Sequence, residues 1–99
     1  MNVLCVCSAG MNRSKHLAKF LHEKGHETDF AGVHPLSLNQ VTQHRLDWAD
    51  VIICVRPWME ESLREGYDVR KKIITLDISN RESKYKRMER EALEALQRS

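Results

Sequence analysis

Short apolar runs alternate with segments of helical periodicity along this chain, and the alternation occurs four times within 99 residues. The apolar runs predict β-strands at residues 2–6, 28–33, 50–55 and 72–76. The periodic segments predict helices at residues 14–24, 42–48, 57–65 and 85–96. Alternating strands and helices are typical of a parallel sheet. We therefore expect an α/β fold: a single three-layer domain whose four-stranded parallel sheet is flanked by helices on both faces.

Length and charge limit the function classes that the chain can serve. Residues 1–99 are expected to form one domain. The chain carries 16 Lys and Arg against 14 Asp and Glu, and this even balance argues against a nucleic-acid or membrane partner. No apolar run approaches the ~20 residues that a membrane span needs, and the first residues lack the basic start of a signal peptide. We therefore expect a cytoplasmic protein in which Cys5, Cys7 and Cys54 are free thiols.

The loop after the first predicted strand has the composition of an anion-binding site. In a parallel sheet, ligands bind beyond the carboxyl ends of the strands, and Cys7, Arg56 and Asp77 all follow predicted strands there. If this loop closes onto the next helix, its backbone amides and the positive end of the helix dipole converge on one point. The expected phosphate-binding residues are Ser8, Ala9, Gly10, Met11, Asn12, Arg13 and Ser14.

Three side chains of this loop suit phosphoryl chemistry. Cys7 would lie at the floor of the nest, where the positive field lowers the pKa of a thiol and favours its nucleophilic thiolate. Arg13 offers a planar fork for two phosphate oxygens, and the Ser14 hydroxyl can donate to the thiolate. A lone C-x5-R pattern arises often by chance, and a buried strand cysteine with a surface arginine would also produce it. The preceding strand, the following helix and Ser14 make the pattern more specific here.

With this loop in place, the sequence resembles the low-molecular-weight protein tyrosine phosphatases. The matching stretches are VLCVCSAGMNRS, FAGV, VTQHRLDWADVIICV and KIITLDISN, and they cover most of the chain in the right order. The resemblance implies a two-step reaction without metal or cofactor on a phosphotyrosine-containing protein or a small aryl phosphate. It makes Cys7 the nucleophile that forms a phosphocysteine, and it assigns the phosphoryl oxygens to Arg13 and the loop amides.

The resemblance also implies an aspartic acid that protonates the leaving phenol and then assists water. Asp77 is our candidate, so the expected catalytic residues are Cys7, Arg13 and Asp77. The family's short members with a D-I-P-D pattern would instead align the acid with Asn80, whose amide cannot supply a proton. The loop between residues 33 and 41, which normally supplies an aromatic wall, looks trimmed. Trp58 and Tyr85 are candidates to replace that wall, although both positions also suit core or helix-face packing.

Four other interpretations stay open at this point. A phosphoryl-carrying IIB component of a sugar phosphotransferase system has a similar loop but no arginine at the position of Arg13. An arsenate reductase would need further cysteines near the nucleophile, and Cys54 lies inside a predicted strand. His22 and His26 fit H-E-x-x-H, but Gly25 falls where the helix should end, and no third zinc ligand is evident. A non-catalytic phosphate-binding module is the fourth.

Overall fold

The computed structural model describes residues 1–79, 81 and 85–98. Within these residues the chain alternates strictly between strand and helix. The elements are β1 (Asn2–Cys7), α1 (Arg13–Glu23), β2 (Glu27–Gly32), α2 (Gln43–Trp48), β3 (Val51–Cys54), α3 (Pro57–Gly66), β4 (Ile73–Thr75) and α4 (Lys86–Arg98). The predicted α/β class and the predicted element order are confirmed, and each boundary lies within two residues of the predicted one.

The strands form one parallel sheet in the order β2-β1-β3-β4. Val3 of β1 pairs with Thr28 of β2 on one side and with Val51 of β3 on the other. The chain runs outward from β1 to β2 and then crosses back to β3, so the winding direction reverses between β1 and β3. Because crossover connections are right-handed, this reversal places α1 on one face of the sheet and α2 and α3 on the other. Helix α4 packs with α1. The result is the predicted three-layer arrangement.

The central strands carry the core. Every residue of β3 is buried, and β1 is buried from Val3 onward, as expected for strands that are covered on both faces. Helix α1 turns one stripe toward the sheet, and Leu17 and Leu21 on that stripe are fully buried. This packing fixes the position of the junction between β1 and α1.

Local sequence signals explain several element ends. The Thr42 hydroxyl accepts a hydrogen bond from the Arg45 amide at 3.1 Å, so Thr42 caps the start of α2. Pro57 is the first residue of α3, where its missing N–H costs nothing. Gly25 has φ = +99° just past the end of α1, which is the usual position of a glycine that stops a helix.

None of the helices in the described part of the chain combines the length and the apolar character that crossing a membrane requires.

Candidate active site

The loop from Cys7 to Arg13 lies at the carboxyl end of β1, where the winding direction of the sheet reverses. This is the position at which open α/β sheets bind their ligands. A pocket of about 160 Å³ opens on the loop. Its lining consists of Cys7, Ser8, Ala9, Asn12, Arg13 and Tyr85. The structure therefore brings the predicted nucleophile and the predicted arginine together in one cavity.

The backbone carbonyls of residues 7–10 all point away from this pocket. Each accepts a hydrogen bond from the segment that follows β2: Cys7 from the Val33 amide at 3.1 Å, Ser8 from the His34 amide at 3.0 Å, Ala9 from Ser37 Oγ at 2.6 Å and Gly10 from Asn39 Nδ2 at 3.0 Å. In a planar trans peptide the N–H points opposite to the carbonyl, so the following amides turn inward. The Gly10 amide, which donates to Cys7 Sγ at 3.2 Å, is one example. The loop thus has the geometry of an anion nest.

The same segment also presents two exposed side chains. Leu36 and Leu38 are 82% and 94% exposed, and neither supports a carbonyl of the loop. Asn39 makes a second hydrogen bond besides the one to Gly10, because its Nδ2 also donates to the Phe30 carbonyl at 2.7 Å. The inner edge of the segment, which faces the loop, is therefore hydrogen-bonded, whereas its outer edge, which faces solvent, is apolar.

Two glycines allow the loop to rest directly on the end of β2. Gly10 has φ = +71°, and a Cβ atom there would lie 2.4 Å from the Gly32 amide nitrogen. A Cβ atom on Gly32 would lie 2.5 Å from the Ser8 carbonyl oxygen. Neither position has room for a side chain, and Gly10 also needs the left-handed backbone that glycine tolerates. Gly10 and Gly32 therefore pack together as a pair of side-chain-free positions.

The Cys7 thiol lies in a hydrogen-bonding environment that favours its charged form. Its Sγ is 3.0 Å from Ser14 Oγ. Burial acts to raise the pKa of this thiol. Hydrogen bonds from the Ser14 hydroxyl and from the amides of Ser14, Gly10 and Asn12 outweigh burial, so the pKa of Cys7 lies below its ordinary value.

The other two cysteines behave in the opposite way. Burial is the main cause that raises the pKa of the Cys5 thiol far above its ordinary range. Burial, assisted by the Glu60 carboxylate, raises the pKa of Cys54 to about 12. Both are free and buried. Of the three thiols, Cys7 alone is set up as a nucleophile.

Arg13 is held in place by a distant part of the chain. It is the first residue of α1, is only 6% exposed, and donates from Nη1 to the Ile78 carbonyl at 2.6 Å. The Ile78 amide in turn donates to the Val55 carbonyl at 2.8 Å. The chain beyond β4 therefore orients the guanidinium beside Cys7. Sequence reasoning missed the contribution of Ile78, because a backbone carbonyl leaves no signal in side-chain identity.

Asp77 follows β4, as predicted, but its carboxylate faces Arg56. The Arg56 Nε and Asp77 Oδ1 atoms lie 2.9 Å apart, and the Asp77 side chain is 73% exposed. Asp77 does not belong to the lining of the Cys7 pocket. Its role as a general acid stays a prediction. Asn80, the alternative position for the acid, lies outside the described residues.

The two candidate aromatic residues occupy different environments. Tyr85, directly before α4, contributes to the lining of the Cys7 pocket. Trp58 lies in the first turn of α3, is 46% exposed, and is absent from that lining. Of these two residues, Tyr85 is therefore the one that lines the pocket.

His22 and His26 are not arranged as a zinc-protease motif. Helix α1 ends at Glu23, so His26 lies beyond it. The His22 ring nitrogen Nδ1 is 3.2 Å from the His26 backbone carbonyl. The described residues contain no cluster of three or more metal-ligating side chains.

Comparisons with protein-family models, with curated proteins and with solved structures find no match for this chain.

Proposed function

We propose that this chain is a cysteine-dependent phosphatase that hydrolyses aryl phosphate monoesters, with phosphotyrosine in proteins as the favoured substrate. One observation carries the proposal: a thiol with a lowered pKa lies at the floor of a nest of inward-facing amides, beside a buried arginine. Such a nest binds a phosphoryl group and presents a nucleophile to its phosphorus atom.

In the first step, the Cys7 thiolate attacks phosphorus. An S–P bond forms while the P–O bond to the aryl group breaks, and the leaving phenolate takes a proton. Arg13 and the loop amides hold the equatorial phosphoryl oxygens, where negative charge is concentrated in the transition state. Asp77 is the proposed donor of the proton.

In the second step, water attacks the phosphocysteine. An O–P bond forms and the S–P bond breaks, which releases inorganic phosphate and restores the thiolate. The carboxylate of Asp77 is the proposed acceptor of the proton that water loses. The features that lower the pKa of Cys7 also make its thiolate a better leaving group in this step.

The aryl preference rests on Tyr85. Tyr85 contributes to the lining of the pocket, and aromatic pairs stabilise a complex by ~0.5–1.5 kcal/mol beyond the area that they bury. A phenyl ring attached to a phosphate in the nest would meet this wall. We infer a cytoplasmic location as well, because the reaction needs a reduced Cys7 thiol.

The test is hydrolysis of p-nitrophenyl phosphate and of a phosphotyrosine peptide. We expect the wild-type protein to hydrolyse both, the Cys7→Ser variant to hydrolyse neither, and the Arg13→Ala variant to lose phosphate and vanadate affinity. Cys54→Ala and Arg70→Ala are matched controls, since Cys54 is buried in β3 and Arg70 forms an exposed ion pair with Asp68. Normal turnover by Cys7→Ser would refute the proposal.

The pairing of Asp77 with Arg56 favours a second candidate, in which Cys7 takes up a phosphoryl group but releases it only to an acceptor. Such a carrier or phosphate-binding module needs the nest and the thiolate but no general acid. A carrier would become phosphorylated on Cys7 by a phosphohistidine donor and would leave p-nitrophenyl phosphate intact. A phosphatase would turn over this substrate without any donor.

A further inference from the structure

A side-chain cluster links the pocket to the surface between α1 and α4. His16 of α1 and Tyr85 have ring centroids 4.8 Å apart, with their planes tilted by 57°. His16 Nε2 lies 2.9 Å from Glu89 Oε2. Glu89 belongs to α4, and its backbone amide donates to the Tyr85 carbonyl at 2.9 Å. The cluster therefore closes a ring of contacts that begins and ends at Tyr85.

The position of His16 connects the cluster to the nucleophile loop, which comprises residues 7–13. Arg13 and His16 are three residues apart on α1, so their side chains share one face of that helix. Arg13 reaches into the pocket from this face, and His16 stands one turn behind it. The side chain that touches Tyr85 is thus carried by the same rigid helix as the arginine beside Cys7.

Glu89 is suited to fix the histidine ring. Its side chain is only 17% exposed, compared with 44% for His16, and hydrogen bonds to a partly buried carboxylate are stronger than fully solvated ones. The Lys86 ammonium lies 4.0 Å from the other Glu89 oxygen. The hydrogen bond with Glu89 holds His16 against the first turns of α4, and the His16 ring in turn packs against the Tyr85 ring.

We propose that His16 and Glu89 are positioning residues that hold Tyr85 as the pocket wall which selects planar aromatic phosphates. This inference rests on the proposed function and extends it, because it assigns the substrate preference to residues outside the nucleophile loop. His16 affects ligand binding by holding the Tyr85 ring in place, and Glu89 affects it by holding His16 in place. Neither contacts the phosphoryl group.

The test compares the binding of phenylphosphonate with that of methylphosphonate by calorimetry, since neither ligand can be hydrolysed. We expect the wild-type protein to prefer phenylphosphonate by roughly two- to twelvefold, the range of an aromatic pair. Tyr85→Leu should abolish this preference, His16→Gln should remove most of it, and Glu89→Gln should remove part of it. Methylphosphonate affinity should stay within about twofold in His16→Gln and Glu89→Gln.

Two matched controls separate positioning from folding. His22→Gln changes another histidine of α1, and Glu91→Gln breaks another ion pair of α4, with Arg87. Both should keep the wild-type preference. A double variant of His16→Gln and Tyr85→Leu should bind phenylphosphonate as Tyr85→Leu does, because a residue acting through Tyr85 has no effect once that ring is gone.

The outcomes distinguish this inference from the proposed function. If His16→Gln keeps the wild-type preference, or weakens the binding of both phosphonates by the same factor, the positioning role is wrong. If the preference depends on His16 but the wild-type protein hydrolyses no aryl phosphate, the positioning role holds and the phosphatase proposal fails. In an active enzyme, His16→Gln and Glu89→Gln should raise KM for phosphotyrosine and leave kcat within about twofold.

Discussion

Gly10 and Gly32 meet backbone to backbone, so closely that a Cβ atom on Gly10 would lie 2.4 Å from the Gly32 nitrogen. This contact seats the loop of residues 7–13 on the end of β2. The geometry of the anion nest therefore depends on a position 22 residues away in the sequence as much as on the loop itself.

Replacing Gly10 should damage the site more than replacing a glycine with open space around it. Gly10→Ala adds a methyl group against backbone atoms and forces alanine into the left-handed region, which alone costs ~1–2 kcal/mol. We expect more than ~2 kcal/mol of lost stability and no measurable vanadate binding.

Gly25→Ala is the control, because φ is +99° there but nothing lies within 4 Å. It should lose only ~1–2 kcal/mol in urea unfolding and keep vanadate affinity. Equal vanadate affinity in both variants would contradict the role of the contact.

The three thiols should differ in native alkylation by iodoacetamide. At neutral pH we expect Cys7 to react and Cys5 and Cys54 to stay protected, because the pKa of Cys7 is lowered and the pKa of each buried thiol is raised. Peptide mass spectrometry identifies the labelled site. Ser14→Ala removes a hydrogen bond to the thiolate and should slow Cys7 labelling by about tenfold, whereas Ser62→Ala in α3 should not. Equal labelling of all three cysteines in the folded protein would rule out a selectively activated Cys7.

The lowered pKa of Cys7 also predicts how stability varies with pH. The folded state binds the thiol proton more weakly than the unfolded state, so the thiolate stabilises the fold fully above the ordinary pKa of 9.0. That contribution is lost as the pH falls through the lower pKa of the folded state. The free energy of unfolding of the wild-type protein, relative to Cys7→Ser, should therefore rise with pH within this window. A constant difference in denaturant titrations would mean that the folded state does not lower the pKa.

Asp77→Asn tests the proposed general acid. A positioned acid contributes ~10²–10⁴-fold to rate, and the need for it falls as the leaving group becomes more acidic. We expect Asp77→Asn to slow phosphotyrosine hydrolysis far more than hydrolysis of p-nitrophenyl phosphate. Asp68→Asn changes another exposed, ion-paired aspartate and should affect neither substrate. An Asp77→Asn variant that cleaves phosphotyrosine at the wild-type rate would remove Asp77 from the mechanism.

Asn39 should affect phosphate affinity although it lies outside the loop. Asn39→Asp keeps the shape of the side chain but removes the donor to the Gly10 and Phe30 carbonyls. Leaving such groups unpaired costs ~1–3 kcal/mol, which corresponds to vanadate affinity weaker by about 5- to 150-fold. Asn2→Asp is the control, since Asn2 donates to the Trp48 carbonyl at the other end of β1. Unchanged vanadate affinity in Asn39→Asp would show that the nest holds its shape without this support.

The fold was predictable because its signals are local. The unbroken apolar run at β3, the Thr42 cap and Pro57 each reflect a preference that acts within a few residues. The proximity of Cys7 and Arg13 was predictable for the same reason, since they lie six positions apart on one strand–loop–helix unit.

The contacts that hold the site residues in place were not predictable from local patterns. Asn39 and the Ile78 carbonyl reach the loop through hydrogen bonds between segments that are distant in sequence. The direction of the Asp77 side chain depends on its contact with Arg56, and no periodicity of the sequence encodes that contact. The S-x-N spacing of Ser37 and Asn39 is a turn signal that could have drawn attention to this segment.

The hydrogen bonds that shape the nest come from the amides of Val33 and His34 and from two short polar side chains, whereas Leu36 and Leu38 project into solvent between them. The inner and outer edges of this segment can therefore change independently. Residues 36 and 38 form a rim that can be substituted, by selection or by design, while the hydrogen bonds that shape the loop stay in place.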